Sequence, residues 1–248
     1  MQGFFLKLSF FFFILFIPLH ISAAVKVPIL MYHHIRTPQE KDSAIYKDLS
    51  CSRNIFLEHL SYLKKAGYTT ITFWDLYNHF YKHQPLPPKP IILTFDDGPR
   101  NNWQAFLDLK ANQQKGVFFI ITCTLGSKKH LTREQLQAIN EAGMEIGSHS
   151  VSHPDLKNVT KAALKTELEN SKKVLEDLLH KKIISFCYPS GQYNEVVSNQ
   201  LKKAGYYFAR TTNSGISSIQ GKDFQLKIIR IHNYTTAQSL AYLLKKHQ

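Results

Sequence analysis

From residue 29 to the C-terminus, short apolar runs alternate with helical patterns, and no other feature of the chain restricts its fold so strongly. Residues 29–32, 68–72, 91–95, 117–122, 145–148, 183–187, 206–210 and 228–231 read as strands. The run at 117–122 is continuously apolar, as in a strand buried on both faces. Helical patterns fill the intervals. Phe56, Leu57, Leu60 and Leu63 share one face that Gly67 ends, and 73–82, 102–113, 132–142, 161–180, 195–204 and 236–246 follow. Leu86-Pro87-Pro88-Lys89-Pro90 is a rigid extended approach to the third strand. Such alternation predicts a single-domain parallel α/β fold. Seven or eight units favour a barrel over an open sheet, and a barrel gathers its working groups at the carboxyl ends of its strands.

Four predicted strands end in polar groups. His33-His34 follows the first and Asp96-Asp97-Gly98-Pro99 the third. His149-Ser150-Val151-Ser152-His153 follows 145–148, and Tyr188-Pro189-Ser190-Gly191 follows 183–187. Each has an ordinary structural reading: Asp-Asp-Gly and Tyr-Pro-Ser-Gly are turns. Together they carry chemistry. One carboxylate and two imidazoles make a metal-ligand set that leaves a position for water. A second carboxylate beside the first can take a proton from that water. Adjacent acids repel, and a cation on one of them gives the two different roles. Ligation also requires neutral imidazoles, so activity should fall in acid.

The first 24 residues differ from the rest. Lys7, an apolar run over 8–17, Pro18 and the small residues Ser22, Ala23 and Ala24 have the order of a secretory leader. The run is about half the roughly 20 residues a membrane span needs. An uncleaved N-terminal anchor is the alternative. The expectation is an exported protein, periplasmic or secreted, associated with the membrane or cell wall if the leader stays. The net charge is +13, or +12 without Lys7, and its lysines are scattered rather than blocked. A solvated basic surface, not nucleic-acid binding, is expected. Cys51, Cys123 and Cys187 lack metal-site spacing. One disulfide could form, and Cys123 and Cys187 read as buried small hydrophobes.

Thr94-Phe95-Asp96-Asp97-Gly98, then His149-Ser150-x-x-His153, then a Pro-x-Gly turn resemble the ordered motifs of polysaccharide deacetylases, the NodB-homology group of carbohydrate esterase family four. The resemblance covers residues 27–248. Pro28–Ile35 (Pro-Ile-Leu-Met-Tyr-His-His-Ile) and Leu86-Pro-x-Lys-Pro90 resemble the exported branch that includes poly-N-acetylglucosamine deacetylases. This implies a distorted (β/α)7 barrel and hydrolysis of N-acetyl groups on an N-acetylglucosamine-containing polysaccharide, poly-N-acetylglucosamine or peptidoglycan glycan. It implies a divalent metal, zinc first with cobalt or nickel as alternatives, on Asp97, His149 and His153. Asp96 is then the base and the Ser190 amide the oxyanion donor. The general acid is His33 or, as the weaker match, His232.

Three departures stand out. The family's third motif often opens with Arg, where this chain has Cys187. Arg210 and Arg230 are the candidates to hold Asp96 instead, and Arg230 is preferred. The fourth motif's acid and Trp have no recognisable counterpart; Trp103 reads as core packing that could also line the groove. The segment 36–52 is long enough to cap a site. Two other activities remain open: an O-acetyl esterase acting on a glycan, and a glycan-binding protein that has lost catalysis.

Overall fold

The structure, a computed structural model, describes residues 24–246. The leader expectation falls, but for Ala24, on residues outside this range. In chain order the elements are β1 (Val25–Val27), β2 (Ile29–Tyr32), β3 (His34–Ile35), α1 (Ala44–Asp48), β4 (Ser50–Cys51), α2 (Arg53–Lys65), β5 (Thr69–Ile71) and α3 (Phe73–Lys82). Next come β6 (Pro90–Phe95), α4 (Asn102–Ala111), β7 (Val117–Ile120), α5 (Arg133–Glu141), β8 (Glu145–Ser148), α6 (Lys161–Leu179), β9 (Ser185–Cys187) and α7 (Glu195–Lys203). The last are β10 (Phe208–Ser214), β11 (Ser217–Ile219), β12 (Asp223–Arg230) and α8 (Ala237–Lys246).

Seven parallel strands close in the order β2-β12-β10-β9-β8-β7-β6, with β6 returning to β2. This is the distorted (β/α)7 barrel. Much of the distortion lies between β10 and β12, where two register shifts break the pairing. Strand β5 pairs only with the first half of β6, opposite β2. Helix α3 then closes the lower end of the barrel, where Phe73 stacks on Phe208 at 5.6 Å. Two small pairs, β1 with β11 and β3 with β4, lie outside the barrel.

The period of two sorts each strand into two cores. Ile29, Met31, Ile92, Val117, Phe119, Phe208 and Ile228 fill the interior. Leu30, Tyr32, Leu93, Phe95, Phe118, Ile120 and Ala209 face the helices. Each fully buried Phe contributes roughly 1.5–3 kcal/mol through area removed from water. The helices start where side chains can satisfy their free N–H groups. Thr72 with Asp75, and Thr132 with Gln135, form reciprocal capping boxes. Gly143 ends α5 in a left-handed conformation, as its position in the sequence implied. No helix among the described residues is long and apolar enough to cross a membrane.

The three cysteines are free. Cys51 and Cys187 are buried, but Cys123 is exposed, against expectation. The apolar run of 117–122 stops being strand at Ile120, and Cys123 sits in a 3₁₀ turn beyond it. Trp103 packs partly buried against the outer core, 4.8 Å from the Phe106 ring.

Candidate functional site

The alternation along β6 determines where its two acids point. Ile92 and Thr94 face inward, and Thr94 Oγ1 donates to Leu30 O at 2.9 Å. Asp96 continues that series and is buried at the top of the interior. Asp97 then takes φ +69°, a left-handed conformation that turns the next carboxylate away from the first. The interior side of β10 meets Asp96 from across the barrel. Phe208 faces in and Ala209 out, so Arg210 faces in, and its Nη2 donates to Asp96 Oδ1. Arg210 is fully buried and lies 5.2 Å above the Phe119 ring. Burial alone would raise the Asp96 carboxyl, but Arg210, His33 and His149 outweigh it and hold the group below its ordinary range.

Arg210, and not Arg230, therefore orients Asp96, which corrects the preference drawn from the sequence. Arg230 ends β12 at the rim, with its side chain 35% exposed and its Nη2 3.6 Å from Asp48 Oδ2. Arg210 pairs in register with Cys187, whose Sγ lies 3.7 Å from Asp96 Oδ2. The guanidinium missing at 187 is thus supplied from the adjoining strand at the same level.

The metal-ligand candidates converge. His149 Nε2 is 3.3 Å and His153 Nε2 3.8 Å from Asp97 Oδ1. Neighbouring ligands about 2.1 Å from one tetrahedral ion are separated by about this distance. His149 Nδ1 donates to Cys187 O at 2.8 Å, which orients the ring and leaves the Nε2 lone pair for the site. Burial disfavours the His149 imidazolium, but Cys187, Asp97 and Asp96 more than offset it and raise its pKa well above the ordinary value. A cation must displace that proton. His153, by contrast, is lowered by burial and by His149. Asp97 is held below the ordinary carboxylate range: burial opposes ionisation, but His149, His33 and His153 overcome it. The donors fit a divalent cation of zinc type.

The loop that carries both imidazoles is stapled from below. Ser150 and His153 both have positive φ, and His153 N donates to Ser150 Oγ at 2.9 Å. Glu167, on α6, accepts from Val151 N and Ser152 N through Oε2 at 2.8 and 2.9 Å, and from Ser152 Oγ through Oε1 at 2.6 Å.

A cavity of about 280 Å³ joins these groups. Its lining includes His33, Asp96, Asp97, His149, His153, Tyr188, Ser190, Thr212 and Arg230, with an apolar wall of Met31, Ile45 and Leu49. Segment 36–52 supplies Ile45, on α1, and Leu49, just after it, to that wall. Ser190 sits at φ +51° beside Gly191 at φ +69°, where an added Cβ would overlap Thr212 Oγ1. His33 Nε2 lies 3.6 Å from Asp96 Oδ2, and burial lowers its pKa. His232 stands just beyond β12. Its Nδ1 is 2.8 Å from Asp48 Oδ1, and its ring stacks on Tyr234 at 5.0 Å. The His232 loop is pinned in turn, with His232 N donating to Thr235 Oγ1 and the buried His59 Nε2 donating to Thr235 O. Asp48 and Glu167 were not legible as site residues. They are acids on helices with no motif around them, and only tertiary contacts bring them in.

Comparison with known proteins follows this geometry. A family model described as polysaccharide deacetylase matches residues 83–209. Peptidoglycan-N-acetylmuramic acid deacetylase PdaA of Bacillus subtilis is 30% identical over 57% of this chain and 53% of its own length. A peptidoglycan-N-acetylglucosamine deacetylase of Bacillus cereus is 28% identical over 58% of this chain and 61% of its own. The chain thus spans a little over half the length of these two curated relatives. Streptococcus pyogenes deacetylase PplD, solved in complex with acetate, superposes with a TM-score of 0.82 at 29% identity, covering 91% of this chain and 99% of that one.

Proposed function

Since the chain belongs to the polysaccharide deacetylase family, we propose that it is a metal-dependent hydrolase that removes N-acetyl groups from an N-acetylglucosamine-containing polysaccharide and releases acetate. The observation that carries this reading is the convergence of Asp97 Oδ1, His149 Nε2 and His153 Nε2 beside an Asp96 that Arg210 keeps ionised within one cavity. Asp97, His149 and His153 would hold the divalent cation, with zinc favoured by two imidazole nitrogens and one carboxylate oxygen. When bound, it supplies Lewis acidity toward a water and toward the acetamide carbonyl.

The chain's own residues divide the remaining work. Asp96 Oδ2 accepts the proton of the attacking water, because Oδ1 is engaged by Arg210. The Ser190 N–H donates to the carbonyl oxygen as charge develops there, a contribution usually worth about 3–4 kcal/mol. The leaving nitrogen needs a proton. We assign its delivery to His232, whose ring Asp48 orients through Nδ1 at 2.8 Å, rather than to His33, which burial biases toward the neutral ring. The case for a non-catalytic glycan binder rests on the missing Arg at 187 and on the unclear general acid, and Arg210 answers the first of these. The apolar order of residues 1–24 supports export of the chain to a cell-surface polymer.

Acetate release from N-acetylated and O-acetylated polymers tests the reading. Release from the N-acetylated polymer should be abolished by a chelator and restored by zinc or cobalt. Undiminished release from the double variant Asp97→Ala/His149→Ala would sink it. Release from O-acetylated polymer alone would make the chain an esterase.

A further inference from the structure

A second cleft, of about 460 Å³, is lined by chain neighbours of the metal-ligand cavity, His34 beside His33 and Tyr46 beside Ile45, and carries only positive and neutral groups. Its lining includes His34, Tyr46, Arg100, Asn101, Lys129 and His130, with no carboxylate. It is joined to the site through the chain itself. His34 follows His33, and Arg100 lies three residues beyond Asp97. The charge of Asp97 acts on both His34 and His130, which places the two clefts within electrostatic reach.

The cations stand on a fixed platform. Pro99 and His130 form an antiparallel bridge, Arg100 N donates to Lys129 O at 2.8 Å, and Leu131 N donates to Gly98 O at 3.0 Å. Arg100 Nη1 donates to Lys128 O at 3.3 Å, which restrains the guanidinium. Asn101 ties the cleft to β3, accepting from Ile35 N at 3.1 Å and donating to His34 Nδ1 at 3.3 Å. The nearby Arg36 is already paired with Asp42 at 2.7 Å. Among the described residues, Arg100 and Lys129 have no such acidic partner. Two uncompensated cations held beside a sugar site are the chemistry that recognises an anionic substituent on the same glycan.

We propose that this cleft is a subsite for a carboxylate carried by the glycan, such as the lactyl ether of a muramic residue adjoining the N-acetylated sugar at the metal-ligand site. The inference rests on the deacetylase reading and narrows its substrate to a carboxylate-bearing, peptidoglycan-like strand. A neutral N-acetylglucosamine polymer would leave the two charges unanswered.

The test compares two oligosaccharides of equal length with the metal-loaded full chain: a neutral N-acetylglucosamine oligomer, and one whose alternate residues carry lactyl carboxylates. In the double variant Arg100→Ala/Lys129→Ala, kcat/KM should fall about three- to ten-fold on the carboxylate glycan and stay unchanged on the neutral one. Raising salt from about 0.05 to 0.5 M should erode the wild-type preference. A direct binding titration with the two oligosaccharides, followed by NMR, reads the cleft without turnover. If neither glycan releases acetate but the carboxylate form binds more weakly to the double variant, the deacetylase reading fails and the subsite stands. Equal losses on both glycans, or no loss on either, overturn the subsite.

Discussion

Arg210 Nη2 donates to Asp96 Oδ1 inside the barrel, joining the inward faces of β10 and β6 where both side chains are buried. A buried carboxylate with no counter-charge would take up a proton and lose its use as a base. Arg210→Met should therefore raise the Asp96 pKa and move the acid limb of kcat/KM upward, with a loss of about 10²-fold or more at neutral pH. Removing one partner of a buried pair also costs about 3–5 kcal/mol of stability. The milder Arg210→Lys separates the effects. It should keep the fold and regain part of the rate, but miss the fixed geometry of the guanidinium. An unchanged pH profile in Arg210→Met would show that Asp96 does not depend on it.

Glu167 touches no candidate ligand, yet it holds the backbone between His149 and His153 through two N–H groups and one hydroxyl. Glu167→Gln retains one acceptor oxygen and should weaken metal binding by about 10-fold, within the range seen when outer partners of ligands are lost. The wild type should itself release metal as pH falls. The His149 pKa is raised in the metal-free site, so protons compete with the metal for Nε2. Cobalt titrations across pH, followed by absorbance, measure both effects. A pH-independent affinity would contradict the assigned ligand set.

Proton delivery separates the two histidines. His232→Ala should lose about 10²–10⁴-fold in kcat/KM and flatten the alkaline limb of the profile. Asp48→Asn weakens the contact that orients the His232 ring and should lower kcat/KM by about ten-fold, less than His232→Ala does. His33→Ala should leave the alkaline limb in place, because His33 faces Asp96 rather than an acid of its own. Loss of that limb in His33→Ala, with His232→Ala intact, would reverse the assignment.

What could be read from the sequence divides along physical lines. The barrel strands were legible because burial on both faces leaves unbroken apolar runs, such as 117–120. Asp96, Asp97, His149 and His153 were legible because the two acids are adjacent, the two histidines are four residues apart, and each pair follows a strand. The β1–β11 and β3–β4 pairs were not, since two or three residues cannot show a period. Arg210 and Arg230 were both visible but not ranked correctly. Which Arg reaches Asp96 depends on strand level, and the register shifts between β10 and β12 hide that from any count along the chain. Asp48 and Glu167 enter the site only through α1 and α6, whose local sequences carry no sign of it.

At the opposite end of the barrel from the cavity, Glu145 opens β8 while buried. It accepts from Ser185 Oγ at 2.6 Å and from Trp74 N at 3.1 Å, and so caps the helix that plugs the barrel. Burial pushes its carboxyl up to about 7, against the restraining hydrogen bonds of Ser185, Trp74 and Phe73 and the charge of Lys181. The folded state therefore binds this proton more tightly than the unfolded chain does. The associated stability is complete below the unfolded value of about 4.5 and is lost as pH rises through about 7. At roughly 1.4 kcal/mol per pKa unit, the loss at pH 8 is on the order of 3 kcal/mol as an upper bound. Glu145→Gln keeps one acceptor for Trp74 N and offers an N–H₂ to the Ser185 hydroxyl, with no charge to bury. It should match the wild type near pH 4.5 and exceed it at pH 8. Urea unfolding of the two proteins at both pH values measures the difference, in which pH effects common to both cancel. A variant equally or more weakened at pH 8 would mean that the Glu145 charge is compensated where it lies.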